Sequence, residues 1–404
     1  MSLHLPAALR RSLSATTAGC CLLTSAASIG QAAAAVPTQA ANAPAGALAT
    51  IVQPKRPQTP KPPFPYDDKE VSIAGSTPGV TLAGTLTAPH DRLRRPALLL
   101  LAGSGPVDRD ETAEGHRLFL VLADALTRRG FVVLRYDKRG AGKSTGDFRA
   151  STIADFTGDA RAALAWLRSR PEVDPQRIGV IGHSEGGAIA ALLATGPGAP
   201  AVIVSMAGLL APGYEQIIAQ EITTGRDLGA DPGYDDKVRE FYARAKAATD
   251  IADPAARLAT TQEIAKEWLR QFPDGTPSRR AAADSLLARP RLTASPWFAG
   301  FLKLHAADGL RGTKASVLLL NGSTDQQVLA EPNLAAGRLA LGRIDGRRHR
   351  VERLQGLNHL FQRSATGSTE DYGTIAETIS PDALKTMAEW LDERLTPQPI
   401  ASLR

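Results

Sequence analysis

Gly182-His183-Ser184-Glu185-Gly186 sets one hydroxyl between two glycines, in the pattern G-x-S-x-G. Before it, Ile178-Gly179-Val180-Ile181 reads as a short buried strand; after it, Ala188 to Ala194 read as a helix of small residues. A strand that turns straight into a helix at such a serine makes a tight, strained bend, and the hydroxyl projects above the C-terminal edge of a sheet. The glycines are needed because a side chain on either would collide with the neighbouring strand and helix. A serine hydroxyl is a poor nucleophile at neutral pH. It needs a general base within hydrogen-bond reach, and that base needs an acid to orient it.

Downstream, the chain offers both groups in the order serine, acid, histidine. The acid is Asp325, just after a strand, in Leu318-Leu319-Leu320-Asn321-Gly322-Ser323-Thr324-Asp325. The base is His359, on the loop after the next strand, in Leu354-Gln355-Gly356-Leu357-Asn358-His359. Both stand at C-terminal ends of strands, where the sites of open α/β sheets gather. Ser184 is therefore read as nucleophile, His359 as general base and then acid, and Asp325 as the group holding the imidazole. A tetrahedral intermediate also needs two fixed N–H donors, each worth about 3 to 4 kcal/mol of barrier. The amide of Glu185 is one. The second is assigned to Ser104, in the glycine-bearing loop Ala102-Gly103-Ser104-Gly105-Pro106 after an apolar strand.

The remaining candidates fit less well. His183 neighbours the serine, so its ring must point away from the hydroxyl, which leaves it a packing role. His305 reads as a surface residue, with substrate contact as the alternative; His116 opens a helix and His90 sits in a turn. The Glu185 side chain reads as structural or pocket-lining. Asp108-Arg109-Asp110 reads as an internal ion pair shaping its loop, with a polar substrate contact as the alternative. No H-x-x-x-H spacing suggests a metal, and no cofactor is expected.

The elements that must position these groups alternate. Glu70 to Ala74 and Val80 to Thr87 read as antiparallel strands, and Pro96 to Ala102 is a continuous apolar run of the kind found in a strand covered on both faces. A helix from about Ala113 to Gly130, a strand Phe131 to Tyr136, and an amphipathic helix marked by Ile153, Phe156, Ala160, Leu164 and Leu167 follow. After the elbow come the strand Ala201 to Met206 and, from 211 to 312, a segment of helical pieces only. These read as Glu215 to Thr224, Asp235 to Thr249, Pro254 to Gln271 and Arg280 to Leu287, and a structureless loop of that length is implausible. The sheet resumes at Ser316 to Leu320, then a helix over Asn333 to Leu341, a strand over Arg350 to Leu354, and a last helix opened by Ser380-Pro381. The pattern predicts a parallel sheet with helices on both faces. Its domains are a core over 67–210 and 313–404 and a helical cap over 211–312.

The 404 residues carry a formal charge of +6, with no basic stripe interleaved with aromatics, so nucleic acid is not an expected partner. Arg343, Arg347, Arg348, His349 and Arg350 read as a solvated loop entering a strand. Residues 1–35 combine Arg10-Arg11, an apolar stretch from Leu13 to Ile29, and A-x-A sites near Ala35, which reads as an export signal and a periplasmic or secreted mature protein. Thr17-Ala18-Gly19-Cys20 lacks the leucine of a lipoprotein box, which argues against lipidation. Both cysteines, Cys20 and Cys21, fall in that signal. Residues 36–66 are a Pro- and Ala-rich linker, and no other apolar run approaches a membrane span.

The segments LLLLAGSGPVDRDE (98–111), LRYDKRGAGKS (134–144), IGHSEGG (181–187), LLLNGSTDQQV (318–328) and GLNHLFQRSATGSTEDYGTIAETIS (356–380) resemble the α/β-hydrolase superfamily. Within it the chain is similar to bacterial esterase-like hydrolases grouped with serine aminopeptidase and prolyl-oligopeptidase relatives. The resemblance implies a mostly parallel eight-stranded sheet, an inserted helical cap and a Ser184, Asp325, His359 hydrolase. One departure lies after SPWFAGFLKL (295–304), where relatives tend to carry Tyr-Asp-Pro and this chain has His305-Ala306-Ala307. The leading expectation is a carboxylesterase acting on a small-molecule ester. A serine peptidase or aminopeptidase of the same fold is the alternative, and a hydrolase fold kept as a binding protein the third. Fold alone leaves substrate and oligomeric state open.

Overall fold

The apolar run of the third strand, β3 (Arg95–Leu101), shows how the sheet is built. Successive strand side chains point to opposite faces. Leu98 and Leu100 join one buried cluster, whereas Ala97, Leu99 and Leu101 join another, so both faces are covered. This computed structural model describes residues 55–91, 93–342, 344 and 346–396. The export signal read at 1–35, both cysteines, most of the linker, and Arg343 lie outside the described residues.

Ahead of β3 stand β1 (Tyr66–Ala74) and β2 (Thr81–Pro89), an antiparallel pair. β1 starts inside the end of the expected linker, with Tyr66 buried and its hydroxyl on Asp124. The helix expected from about Ala113 instead begins five residues later. Glu114 and Gly115 both have positive φ, which turns the chain into a small hairpin of β4 (Thr112–Ala113) and β5 (His116–Arg117) before α1 (Leu118–Arg128). Then follow β6 (Val132–Tyr136), α2 (Ile153–Arg168), β7 (Val173–His183), α3 (Glu185–Leu192) and β8 (Val202–Met206). α2 opens with a capping box, in which Thr152 accepts from the Asp155 amide and Asp155 accepts from the Thr152 amide.

Between β8 and β9 (Ser316–Gly322) the chain is helical: α4 (Gly213–Asp227), α5 (Tyr234–Ala248), α6 (Pro254–Arg270), α7 (Pro277–Asp284), α8 (Pro290–Thr293) and α9 (Pro296–Leu302). The tail of the last expected piece, at Leu286 and Leu287, is a separate 3₁₀ turn. Ser, Thr or Asp followed by Pro starts three of these helices, each cap side chain accepting a backbone N–H. Tyr234, Phe241, Trp268 and Phe272 pack ring on ring at centroid distances of 4.9 to 5.5 Å, giving this segment its own aromatic centre. That centre is continuous with the sheet face covered by α2 and α3. The chain closes with α10 (Ala330–Leu341), β10 (His349–Leu354) and α11 (Pro381–Leu395), the last capped by Ser380 as its sequence predicts.

The eight-stranded sheet runs β1-β2-β6-β3-β7-β8-β9-β10. β2 is antiparallel to both its neighbours, and every pair from β6 to β10 is parallel. The chain leaves β3 toward β6 on one side and returns to β7 on the other. The loops after β3 and β7 therefore part at a topological switch point, where α/β sheets open a crevice. Gly103-Ser104 follows β3 and Ser184 follows β7.

The elbow glycines are required by distance. A Cβ on Gly182 would lie 2.0 Å from the Gly186 carbonyl oxygen, and one on Gly186 would lie 1.9 Å from that of Leu101. Both obstacles are backbone and cannot swing aside. Gly186→Ala is expected to destabilise the fold by about 3 kcal/mol, read as a lower urea midpoint at unchanged slope.

Candidate active site

Ser184 sits at φ 55° and ψ −119°, a left-handed conformation that costs a non-glycine residue roughly 1 to 3 kcal/mol. Its amide donates to the Met206 carbonyl at 2.9 Å, and its own carbonyl accepts from Gly187 at 2.9 Å, so β8 and the first turn of α3 hold the strained residue in place.

Asp325 and His359 come from loops after neighbouring parallel strands, β9 and β10. His359 Nδ1 donates to Asp325 Oδ2 at 2.8 Å, and both side chains are buried. Asp325 Oδ1 accepts the amides of Gln327 and Val328, each at 2.9 Å. The carboxylate is thus oriented by backbone before it meets the imidazole. Because the carboxylate only accepts, Nδ1 carries the proton and Nε2 keeps its lone pair. Gly322 makes the pairing possible: a Cβ there would lie 2.1 Å from the Leu357 carbonyl, so any side chain would push the histidine loop off the strand.

His183 does more than pack. Its Nδ1 lies 2.8 Å from Glu111 Oε1 and its Nε2 lies 2.9 Å from the His359 carbonyl. Both partners are acceptors, so the ring donates from both nitrogens and is an imidazolium. Burial acts to lower its pKa, but the Glu111 carboxylate outweighs that and holds it above the ordinary value. The residue before Ser184 therefore ties the histidine loop to Glu111, a contact that sequence reading missed. Glu111 Oε1 also accepts the Gly103 amide at 2.7 Å.

A folded pKa above the unfolded one gives stability that is fully present below about pH 6.5 and is lost as pH rises through the folded value. Glu111→Gln is accordingly expected to cost about 3 kcal/mol of unfolding free energy at pH 6. The gap from wild type should narrow as the urea titration is repeated toward pH 9. A gap that does not change with pH would refute the charged state assigned to His183.

Glu185 is fully buried. Its Oε1 pairs with Lys138 Nζ at 2.5 Å and its Oε2 accepts Trp297 Nε1 at 2.5 Å, from α9 of the helical segment. Of the two readings of this side chain, structural or pocket-lining, these contacts fit the structural one. Lys138 Nζ also donates to the Gly103 carbonyl at 3.0 Å, and the Phe156 ring lies 4.4 Å away. Ser104 follows directly, and its hydroxyl oxygen is buried without a protein partner.

Asp108-Arg109-Asp110 does not pair with itself. Arg109 binds Asp137 through Nε and Nη2 at 3.0 and 2.8 Å, and Asp110 binds Arg135 at 2.8 Å, because the loop lies across the end of β6. His116 lies in β5, not at a helix start, and is buried against the Tyr372 carbonyl at 2.9 Å; burial holds its pKa down. His90 is exposed beside Asp67, and His305 is exposed. Among the described residues no group of three or more His, Cys, Asp or Glu is placed to hold a metal ion.

The model of the X-Pro dipeptidyl-peptidase (S15) family matches residues 78–336. The chain belongs to this family. The matched span includes Ser184 and Asp325 and ends before His359. Esterase EstD of Thermotoga maritima is 32% identical over 124 residues, covering 31% of this chain and 28% of that one. An uncharacterized protein of Pseudomonas aeruginosa is 31% identical over 154 residues, 36% of this chain and 40% of its own length. The chain thus spans less than half the length of these curated relatives. Among solved structures, DcsB in complex with its substrate analogue superposes with a TM-score of 0.51 at 16% identity, covering 82% of this chain and all of that one. That likeness carries the fold: this S15-family chain has the α/β-hydrolase fold.

Proposed function

We propose that the chain is a serine hydrolase that cleaves carboxylic esters of small or medium acyl groups through an acyl-enzyme on Ser184. The observation that carries this reading is the Asp325–His359 hydrogen bond, with the carboxylate itself anchored by two backbone amides. His359 Nε2 takes the Ser184 proton as Oγ attacks the ester carbonyl, and the imidazolium is balanced by Asp325. The amides of Glu185 and Ser104 receive the oxyanion. Collapse expels the alcohol, protonated by His359, and water repeats the sequence in reverse to release the acid.

The ester reading draws support from the relative named as an esterase. A peptidase that holds a substrate ammonium needs an unengaged carboxylate near the nucleophile. Glu185 is engaged through both oxygens, by Lys138 and Trp297, and Glu111 faces the His183 ring and the Gly103 amide through Oε1, with its Oε2 buried and unpartnered. The family description favours the second reading, a peptidase acting after an X-Pro dipeptide. A pure binding protein would have no use for a carboxylate anchored to hold one imidazole tautomer. Export of the chain through residues 1–35 is part of the proposal, and cell fractionation with N-terminal sequencing of the mature protein tests it.

The deciding assay compares p-nitrophenyl esters from acetyl to decanoyl with X-Pro and single-residue p-nitroanilides, with Ser184→Ala as control. Ester turnover should dominate and vanish in the variant. Anilide turnover exceeding ester turnover would establish the peptidase reading, and turnover unchanged in Ser184→Ala would overturn both.

A further inference from the structure

The Gly103 carbonyl and the Ser104 amide belong to one peptide unit. A trans peptide is planar, with its C=O and N–H pointing in opposite directions, so whatever fixes the carbonyl fixes the amide. Gly103 has no side chain to restrain it, because a Cβ there would sit 3.0 Å from Glu111 Oε1 and 3.3 Å from the Ser184 Cβ. Without another restraint the unit could rotate and turn a carbonyl, not an amide, toward the nucleophile.

We propose that Lys138 is a positioning residue that sets the orientation of the Ser104 amide by holding the Gly103 carbonyl. Its ammonium is buried and donates to that carbonyl at 3.0 Å. The same ammonium donates to Glu185 Oε1 at 2.5 Å, and the Glu185 amide is the other assigned oxyanion donor. One cation therefore bridges the two backbone segments that must converge on a single oxygen. Trp297, holding Glu185 Oε2, anchors the bridge to the helical segment, and Glu111 holds the Gly103 amide from the other side. A positive charge on the carbonyl also polarises the peptide unit, which makes its N–H a better donor. The proposal rests on the reading of Ser184 as nucleophile.

The test uses the full chain as wild type, Ser184→Ala, Lys138→Met and the double variant Lys138→Met/Glu185→Gln. Methionine keeps the length of the lysine stem. The single variant leaves Glu185 buried without a cation and can compromise folding; the double variant removes both charges and keeps an acceptor for Trp297. Three quantities are read: the fraction of molecules labelled at Ser184 by a fluorophosphonate at completion, kcat and KM on a p-nitrophenyl ester, and Ki for a matched trifluoromethyl ketone, whose serine adduct carries an oxyanion.

The expected result is complete labelling, kcat lowered about 10²-fold, KM within about threefold, and ketone affinity weakened by the same factor as kcat. Full labelling with kcat and ketone affinity both within about threefold of wild type would overturn the proposal. So would a fall in kcat that leaves ketone affinity unchanged, or a loss of activity accounted for by the unlabelled fraction. Failure of the nucleophile reading looks different: the wild type would not be labelled, or Ser184→Ala would keep its turnover.

Discussion

Ser184→Ala is expected to lower ester kcat by about 10⁵- to 10⁶-fold while leaving the fold intact. Without the hydroxyl no acyl-enzyme forms, and what remains is the rate at which water attacks a substrate held at the two amides. The backbone at φ 55° strains alanine as much as serine, and the amide and carbonyl bonds of residue 184 to Met206 and Gly187 do not involve the side chain. Stability should therefore change by no more than about 1 kcal/mol, seen as a nearly unchanged urea midpoint. A variant that keeps more than about one hundredth of the wild-type rate would place the chemistry elsewhere.

Asp325→Asn is the second large effect, at about 10⁴-fold in kcat. The reason is specific to this site. The Gln327 and Val328 amides both donate to Oδ1, so in the variant that position must hold the amide oxygen. The NH₂ then faces His359 Nδ1, which has to become the acceptor, and the remaining proton moves to Nε2. The imidazole stays in place but presents a proton, where a lone pair is needed, to the serine. KM should move little, and the variant should fold at near wild-type stability because every hydrogen bond keeps a partner. Asp325→Ala should be less stable than Asp325→Asn, since it leaves two buried amides without an acceptor. Steady-state kinetics on one ester and urea titration of the same samples check both statements; an Asp325→Asn variant within about tenfold of wild type would remove Asp325 from the mechanism.

Much of this site is legible in the amino-acid sequence alone. The strand and helix flanking Ser184, the loop positions of Asp325 and His359, and the Ser380-Pro381 helix start are local signals. Each depends on side-chain periodicity or on turn chemistry within a few residues. The difference at α1 is also local in origin: the helical face over Leu118, Val121 and Leu122 does not extend backward through Glu114 and Gly115, whose positive φ values make a hairpin.

What the sequence could not disclose is which buried polar groups would meet. Glu111 and His183 are 72 positions apart, Lys138 and Glu185 are 47 apart, and Trp297 and Glu185 are 112 apart. A lone charge in a sequence reads as solvated, because burying it unpaired is costly. Burial becomes tolerable only when a partner of opposite sign arrives from elsewhere in the chain. Glu111 and Lys138 reach the elbow because β6, β3 and β7 lie side by side, an order opposite in part to their order along the chain, and Trp297 reaches it from α9. Sequence by itself determined the glycine-flanked turn at Ser184, the loop positions of Asp325 and His359, and the alternation that makes a covered parallel sheet, since these follow from turn chemistry and side-chain periodicity among neighbouring residues. Only the tertiary structure decided that His183 meets Glu111, that Lys138 grips the Gly103 carbonyl and that Glu185 reaches Trp297, because strand order and the seating of the helical segment set which buried groups become neighbours, and side-chain periodicity does not encode either.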